Sequence, residues 1–399
     1  MWLSPATTVR ATYQIQFRIQ ALFMLLSAPA HGYCDGMDGN PALISAIQQE
    51  IVAAGGSITF ARFMELALYH PQFGYYMTAA RSKSAPCQSE VGRAVPARHP
   101  RIGKDGDYFT SVSVGPLLGR ILARQFQQWG VAEVLEFGGH RGQLRNDILA
   151  AAPTLNYRSV EVGDPLPDQI TGCVFSNEFL DALPVHRVCG DQEIYVAERA
   201  ARPFMAAESP ANGRDARSTI FQEVLGPLSD PRLPRLPDGY RSEINLRALD
   251  WLTDIARRLT HGFVLTIDYG FERAEYFSPH HAAGHLQCYY RHTKSGHPYL
   301  HIGDQDLTAH VDFTALIEHG QSLGLEPVLL TDQARYLLQV GEAEIADIVT
   351  RTAGQHSPER NAVHQLLHST MGQTFKVLIQ RKHQATTPEY FRAFSGDLP

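Results

Sequence analysis

The sequence is poor in cysteine, has no excess of basic residues and contains no long apolar run. Five cysteines occur in 399 residues without a C-x-x-C pair, which argues against a disulfide-stapled scaffold or a structural zinc ribbon. The apolar run at residues 21–26 ends at Ser27, far short of the roughly 18 to 20 residues that span a membrane. The chain has 35 Lys and Arg against 41 Asp and Glu, a net charge of −6. These features predict no membrane span and no nucleic-acid partner held by bulk positive charge.

The first 40 residues form a poorly defined N-terminal extension. Its first 34 residues include Arg10 and Arg18 but no acidic residue. Three interpretations are open: a secretory signal, a mitochondrial presequence, or a gene start placed too early, with the true beginning at Met37. We favour the last, because helical patterning begins only at Pro41. The expected location is then the cytoplasm, with mitochondria as the alternative if the extension is a presequence.

The rest of the chain divides by its hydrophobic patterning. Residues 41–130 form a helical and lid region, residues 131–382 form the main domain, and residues 383–399 form a C-terminal tail. The main domain carries insertions near 199–239 and 280–303. Short apolar strands alternate with amphipathic helices through this domain, which predicts a parallel, doubly wound α/β sheet.

The most informative motif follows the first predicted strand of the main domain. Glu136 ends that strand, and Gly138, Gly139 and Gly142 form a turn before a predicted helix. The spacing is neither the G-x-G-x-x-G of dinucleotide-binding proteins nor a P-loop. Glycines at such a turn let a ligand approach the backbone; the alternative is an ordinary strand-to-helix turn.

Acidic residues follow three further predicted strands. Glu161 lies about 20 residues past the glycine turn, where a carboxylate can accept both hydroxyls of a ribose. Glu178 and Asp181 lie in S-N-E-F-L-D-A-L-P-V at 176–185, and Asp268 lies in I-D-Y-G at 267–270. Because strand ends of a doubly wound sheet meet in one crevice, these residues are expected to converge there. Taken singly, each could instead be a solvated or capping carboxylate.

Seven histidines occur between residues 280 and 310. His280, His281, His285 and Cys288 have a spacing compatible with a metal site, which would suit a metal-dependent hydrolase. The partners that a rigid site needs are not apparent, and no G-x-S-x-G or H-E-x-x-H motif occurs. We therefore predict no metal and keep the hydrolase as an alternative.

Together these motifs resemble the MidA-like class I S-adenosylmethionine-dependent methyltransferases, which include the mitochondrial protein arginine methyltransferase that assists complex I assembly. Six ordered segments carry the resemblance: 73–76, 106–111, 136–142, 176–185, 267–270 and 306–313. The resemblance implies a Rossmann-like class I methyltransferase sheet with an N-terminal helical segment and an inserted lobe. It also implies S-adenosyl-L-methionine as cofactor and a protein substrate methylated on arginine, such as a subunit of a respiratory complex I-type assembly.

The resemblance assigns roles to particular residues. The strand-end acid Glu136 and the glycines 138, 139 and 142 would bind the cofactor, the glycines at its methionine end, and Glu161 would bind its ribose. Gly106, Asp107, Thr110 and Ser111 would close over the pocket, while Glu178, Asp181 and Asp268 would face the acceptor.

The segment after Glu161 departs from the family. Only 12 residues separate Glu161 from Val174, whereas the family fits a helix and a strand there that wall the adenine. A crossover of this kind needs at least about 10 to 12 residues for the connection and its helix alone. The sequence therefore predicts an incomplete adenine pocket, and a catalytically degenerate assembly chaperone is the alternative function.

Overall fold

The computed structural model describes residues 39–81, 111–199, 220–291, 293–368, 372 and 374–384. The extension up to residue 38, the lid residues 82–110 and the tail from residue 385 lie outside these ranges. Within the ranges described, no helix is both long and apolar enough to cross a membrane.

Strands and helices alternate through the described chain. The strands are β1 Ser57–Thr59, β2 Glu133–Phe137, β3 Asn156–Val160, β4 Ile170–Asn177, β5 His186–Cys189, β6 Gln192–Glu198, β7 Phe221–Gly226, β8 Arg241–Ile244, β9 Leu259–Phe271, β10 Leu286–Tyr290, β11 Thr293–Ser295, β12 Asp306–Ala309, β13 Val311–Asp312, β14 Glu326–Asp332 and β15 Phe375–Lys382. The helices are α1 Pro41–Ala53, α2 Phe60–Tyr69, α3 Tyr75–Arg81, α4 Leu117–Gln128, α5 Gln143–Ala151, α6 Leu246–Arg258, α7 Arg273–Tyr276, α8 Phe313–Ser322, α9 Gln333–Arg351 and α10 Pro358–His368, with 3₁₀ turns at Ser111–Val114 and Pro279–His281.

The main sheet has the strand order β14-β15-β9-β4-β2-β3, and β13 pairs with the end of β9. Strand β2 runs parallel to β3 and β4, and β4 runs parallel to β9. Strand β15 is antiparallel to both of its neighbours. The order reverses at β2, where the chain continues first to β3 and then crosses to β4. This arrangement confirms the doubly wound α/β fold predicted from the sequence.

Helices cover both faces of the main sheet, because the strands are apolar on both sides. In β4, Cys173 and Phe175 pack with helices α4, α5, α9 and α10, whereas Val174 packs with α6 and α8. All three side chains are fully buried. Burial of a large apolar side chain contributes about 1.5–3 kcal/mol, so these two layers fix the sheet and hold its carboxyl edge in place.

A second, antiparallel sheet has the order β1-β6-β5-β8, with β7 added beside β6. Helices α1 and α2 pack against it, α1 through Leu43 and Ile47 and α2 through Phe60 and Phe63, whose rings contact that of Tyr299. Helix α2 begins after Thr59, whose hydroxyl accepts the N–H of Arg62 at 3.2 Å. The sequence pattern did not predict strands β5 to β8 or the β11-β10-β12 sheet, since these strands are short and pair mostly with each other. The predicted domain limits stay a prediction.

Candidate active site

The glycine turn after β2 depends on two close approaches. Gly138 has φ +72°, and a β-carbon there would lie 2.9 Å from the ring of Phe179. A β-carbon on Gly139 would lie 2.5 Å from Oε2 of Glu136. Both positions therefore need glycine for space, and Gly138 needs it for its left-handed conformation as well. Gly142 closes the turn by donating its N–H to the carbonyl of Gly139 at 2.8 Å, and α5 begins at the next residue.

Glu136 lies beneath this turn and is buried. Its Oε2 accepts the hydroxyl of Ser159 at 2.7 Å. Burial raises the pKa of Glu136 to about 7, and the hydrogen bond from Ser159 opposes that rise. A carboxyl group whose pKa is raised by burial beside a glycine turn is typical of functional sites.

Glu161 follows β3 and faces the same turn. Its Oε1 accepts the backbone N–H of His140 at 2.8 Å, and His140 itself has the left-handed φ of +44°. Glu161 is exposed as a residue. Partial desolvation raises the pKa of its carboxyl group, the His140 N–H lowers it, and nearby Asp164 raises it further. The structure thus brings Glu161 to the glycine turn, where the sequence predicted it.

The acidic loop, residues 178–182, follows β4 at the adjoining strand end. Glu178 has φ +52°, a conformation that costs a residue with a side chain about 1–3 kcal/mol. Its N–H donates to the carbonyl of Ile267 at 2.9 Å, and the Asn177 amide donates to its Oε1 at 3.1 Å. Such strained residues cluster at active sites.

Asp268 lies under the acidic loop with no exposed surface. Its Oδ2 accepts the N–H groups of Phe179 at 3.2 Å, Leu180 at 2.8 Å and Asp181 at 3.4 Å. Its Oδ1 accepts the N–H of Tyr269 at 2.9 Å. Burial raises the pKa of Asp268 to about 7, against the lowering effect of these N–H groups. Both oxygens therefore bind the protein's own backbone.

Asp181 is buried among other carboxylates. Burial raises its pKa well above the ordinary value, and Asp268, Asp306 and Glu178 raise it further. Asp306 is fully buried and accepts the hydroxyl of Tyr76 at 2.8 Å. Neither Asp306 nor Tyr76 was predicted to belong to the site, although both lie in segments that carry the family resemblance. Strand β12 therefore contributes Asp306 to the acidic cluster, which consists of Glu178, Asp181, Asp268 and Asp306, and helix α3 contributes Tyr76 as a hydrogen-bond donor to it.

The predicted lid is only partly described. Gly106, Asp107 and Thr110 lie outside the described residues, and Ser111 begins the 3₁₀ turn Ser111–Val114. The carbonyl of Val112 accepts the side-chain amide of Gln143 at 3.1 Å. The end of the lid therefore contacts the first residue of α5, next to the glycine turn.

A groove of about 800 Å³ runs from Glu161 to Tyr69 and Leu183. Residues 161–169 form neither a helix nor a strand, and among the described strands of the main sheet β3 has β2 as its only neighbour. The helix and strand expected of the family are therefore absent between β3 and β4, as the sequence predicted. The rings of Phe137, Phe179 and Trp251 contact one another in the groove, which the exposed Val162 also lines.

Histidines of the segment 280–310 contact protein groups within the fold. Nε2 of His285 lies 2.9 Å from the carbonyl of Tyr276, and its Nδ1 lies 3.2 Å from Nδ1 of His310. Burial lowers the pKa of His310 to about 3, and Cys288 is fully buried. In the part of the chain that the structure describes, no group of three or more His, Cys, Asp and Glu side chains could hold a metal ion.

The described site is thus a crevice at the carboxyl ends of β2, β3, β4 and β9. One side offers a glycine turn with a carboxylate beside it, and the other offers a buried acidic cluster. The first arrangement suits a nucleoside-containing ligand, and the second suits a cationic group.

Comparison with known proteins agrees with this geometry. Residues 157–331 match the model of a family described as "Putative S-adenosyl-L-methionine-dependent methyltransferase". A candidate methyl transferase from Burkholderia thailandensis, bound to S-adenosyl-homocysteine, is 29% identical, with a TM-score of 0.70 over 86% of this chain and 92% of that one. A native structure of an uncharacterized protein from the same organism is 28% identical, with a TM-score of 0.67 over 86% and 91%. No curated protein matches the chain.

The fold is that of the class I methyltransferases. The match of residues 157–331 to the family model and the similarity to a structure bound to S-adenosyl-homocysteine confirm the cofactor predicted from the sequence, S-adenosyl-L-methionine.

Proposed function

We propose that this protein transfers a methyl group from S-adenosyl-L-methionine to the guanidinium of an arginine in a partner protein. The observation that carries the proposal is that Glu161 and the acidic loop both adjoin the glycine turn: Glu161 accepts the N–H of His140, and a β-carbon on Gly138 would lie 2.9 Å from the ring of Phe179. A subunit of a respiratory complex I-type assembly is the acceptor that the family resemblance suggests.

The described residues fit the cofactor. Gly138 and Gly139 carry no side chains that would screen the backbone of the turn, so a ligand can approach it closely. We assign the ribose to the carboxylate of Glu161. The adenine then lies in the adjoining groove, against the rings of Phe179 and Trp251. Nε1 of Trp251 is buried without a hydrogen-bond partner among the described atoms, which leaves a donor for the ligand. Helix α6 thereby replaces the missing adenine wall.

The acidic loop accounts for an arginine acceptor. When bound, S-adenosyl-L-methionine supplies an electrophilic methyl group on a sulfonium. Glu178 and Asp181 orient the guanidinium through paired, charge-assisted hydrogen bonds, so that one nitrogen points at the methyl carbon. The new N–C bond forms as the S–C bond breaks, and a carboxylate of the loop takes the proton released from the nitrogen.

The test is methyl transfer from radiolabelled S-adenosyl-L-methionine to proteins of a cell extract, followed by amino-acid analysis of the labelled band. We expect labelled methylarginine. Glu178→Gln should lower turnover at least about tenfold, since hydrogen bonds to charged groups are worth about 1.5–3 kcal/mol, and should leave cofactor affinity unchanged. The control Glu342→Gln changes an exposed carboxylate of α9 and should behave as wild type. Label in another residue type, or equal loss of both quantities in Glu178→Gln, would contradict the proposal.

One observation favours a second function. With β3 at the sheet edge and a short connection to β4, the cofactor site could have degenerated in a protein that acts as an assembly chaperone. A folded wild-type protein that binds no S-adenosylhomocysteine yet co-purifies with its partner would favour this alternative.

A further inference from the structure

The acidic loop is anchored by its main chain from several directions. The Asn245 side chain donates to the carbonyl of Leu180 at 2.7 Å, and the Tyr69 hydroxyl donates to the carbonyl of Ala182 at 3.1 Å. The N–H of Ala309 donates to the carbonyl of Asp181 at 2.9 Å. Helices α2 and α6 and strand β12 thus each fix one peptide group of the loop.

Asp268 binds the opposite side of the loop. It accepts three consecutive N–H groups with one oxygen, an arrangement in which backbone dipoles converge on an anion. Its other oxygen is bound to Tyr269, and the side chain has no exposed surface. An acceptor in the crevice therefore has no access to this carboxylate.

We infer that Asp268 is a positioning residue, which holds the acidic loop so that Glu178 and Asp181 face the acceptor. The inference rests on the proposed methyl transfer for its catalytic consequence, and it replaces the expectation that Asp268 itself faces the acceptor. The left-handed backbone of Glu178 explains why the loop needs such anchoring, because a strained conformation persists only where several surrounding contacts hold it.

Asp268→Asn is the informative substitution. Asparagine keeps the shape of the side chain but has one acceptor oxygen instead of two, and its NH₂ group would face backbone N–H groups. The loop should then open locally, while the rest of the sheet keeps its packing.

Amide hydrogen exchange measures this opening without any acceptor. We expect the amides of residues 179–181 to exchange at least about tenfold faster in Asp268→Asn than in wild type, with the remaining strands of the main sheet unchanged. Asp312→Ala is the control, because Asp312 also binds a backbone N–H, that of Ala315 at 3.1 Å, but at the start of α8. That variant should leave the exchange of residues 179–181 unchanged.

Wild type alone provides a second measurement, should Asp268→Asn fail to fold. The amides of residues 179–181 should exchange as slowly as those in the centre of β9. Rapid exchange there in wild type, or faster exchange across the whole sheet in Asp268→Asn, would overturn the inference.

Measurement of kcat and of cofactor affinity tests whether the position of the loop matters for the reaction. Asp268→Asn should lower kcat about tenfold or more, with the Kd for S-adenosylhomocysteine within about threefold of wild type. Loss of cofactor affinity in parallel with kcat would overturn the positioning role. Absence of methylarginine with wild-type protein would contradict the proposed function alone, since the exchange measurement uses no acceptor.

Discussion

Replacing Glu136 with glutamine removes a buried carboxyl group whose ionisation opposes folding. Its pKa rises from an ordinary 4.5 to about 7 in the folded protein because of burial. Below pH 4.5 the carboxyl group is protonated in both the folded and the unfolded chain. The folded protein then has no buried charge at this position, and the free energy of unfolding is at its highest as far as this group is concerned. Between pH 4.5 and 7 the unfolded chain ionises first, and this stability is lost as pH rises through the folded pKa.

The magnitude follows from the two pKa values. One pKa unit corresponds to about 1.4 kcal/mol, so a rise from 4.5 to about 7 corresponds to roughly 3 kcal/mol. Glutamine stays neutral throughout. The free energy of unfolding of Glu136→Gln, minus that of wild type, should therefore increase by about 3 kcal/mol between pH 4.5 and pH 8.

Urea denaturation at half-unit steps across this range measures the difference directly. The control is Glu133→Gln, an exposed carboxylate on the same strand, which should keep the pH dependence of wild type. A constant difference between Glu136→Gln and wild type at every pH would refute the reasoning, because it would mean that burial does not penalise the ionised carboxyl group.

Two further predictions concern the groove and the turn. Binding of S-adenosylhomocysteine should quench the fluorescence of Trp251, and Trp251→Phe should abolish that quench. The control Trp129→Phe removes a ring that stacks on Phe263 outside the groove, so it should retain the quench. A quench that survives in Trp251→Phe would place the adenine elsewhere. Gly139→Ala should lower the free energy of unfolding by about 1–3 kcal/mol, because its β-carbon would meet the Glu136 carboxylate at 2.5 Å; a melting temperature equal to that of wild type would show that the turn relaxes freely.

The sequence revealed those parts of the fold and site that depend on local patterns. Apolar strands and amphipathic helices predicted the main sheet, and the glycine turn with Glu161 could be located from their spacing. The antiparallel sheet was missed because its strands are short and pair mostly with each other, and β1 joins it from far away in the chain.

The arrangement of Asp268 could not be predicted for the same reason. Its three loop partners lie 87 to 89 residues earlier in the sequence, and a carboxylate that faces the backbone has the same sequence pattern as one that faces a ligand. Asp306 and Tyr76, which are 230 residues apart, likewise come together only in the folded chain. Their positions within segments of family resemblance were the one available signal.

Calorimetric titration with S-adenosylhomocysteine tests the central claim most directly. We expect wild-type protein to bind with micromolar affinity, about −8 kcal/mol. Glu161→Ala should weaken binding at least about tenfold without lowering the melting temperature, since Glu161 is exposed and its carboxylate has one hydrogen bond among the described residues, from the N–H of His140. Absence of binding by folded wild-type protein would contradict the cofactor site itself, and unchanged affinity in Glu161→Ala would contradict the assignment of the ribose to this carboxylate.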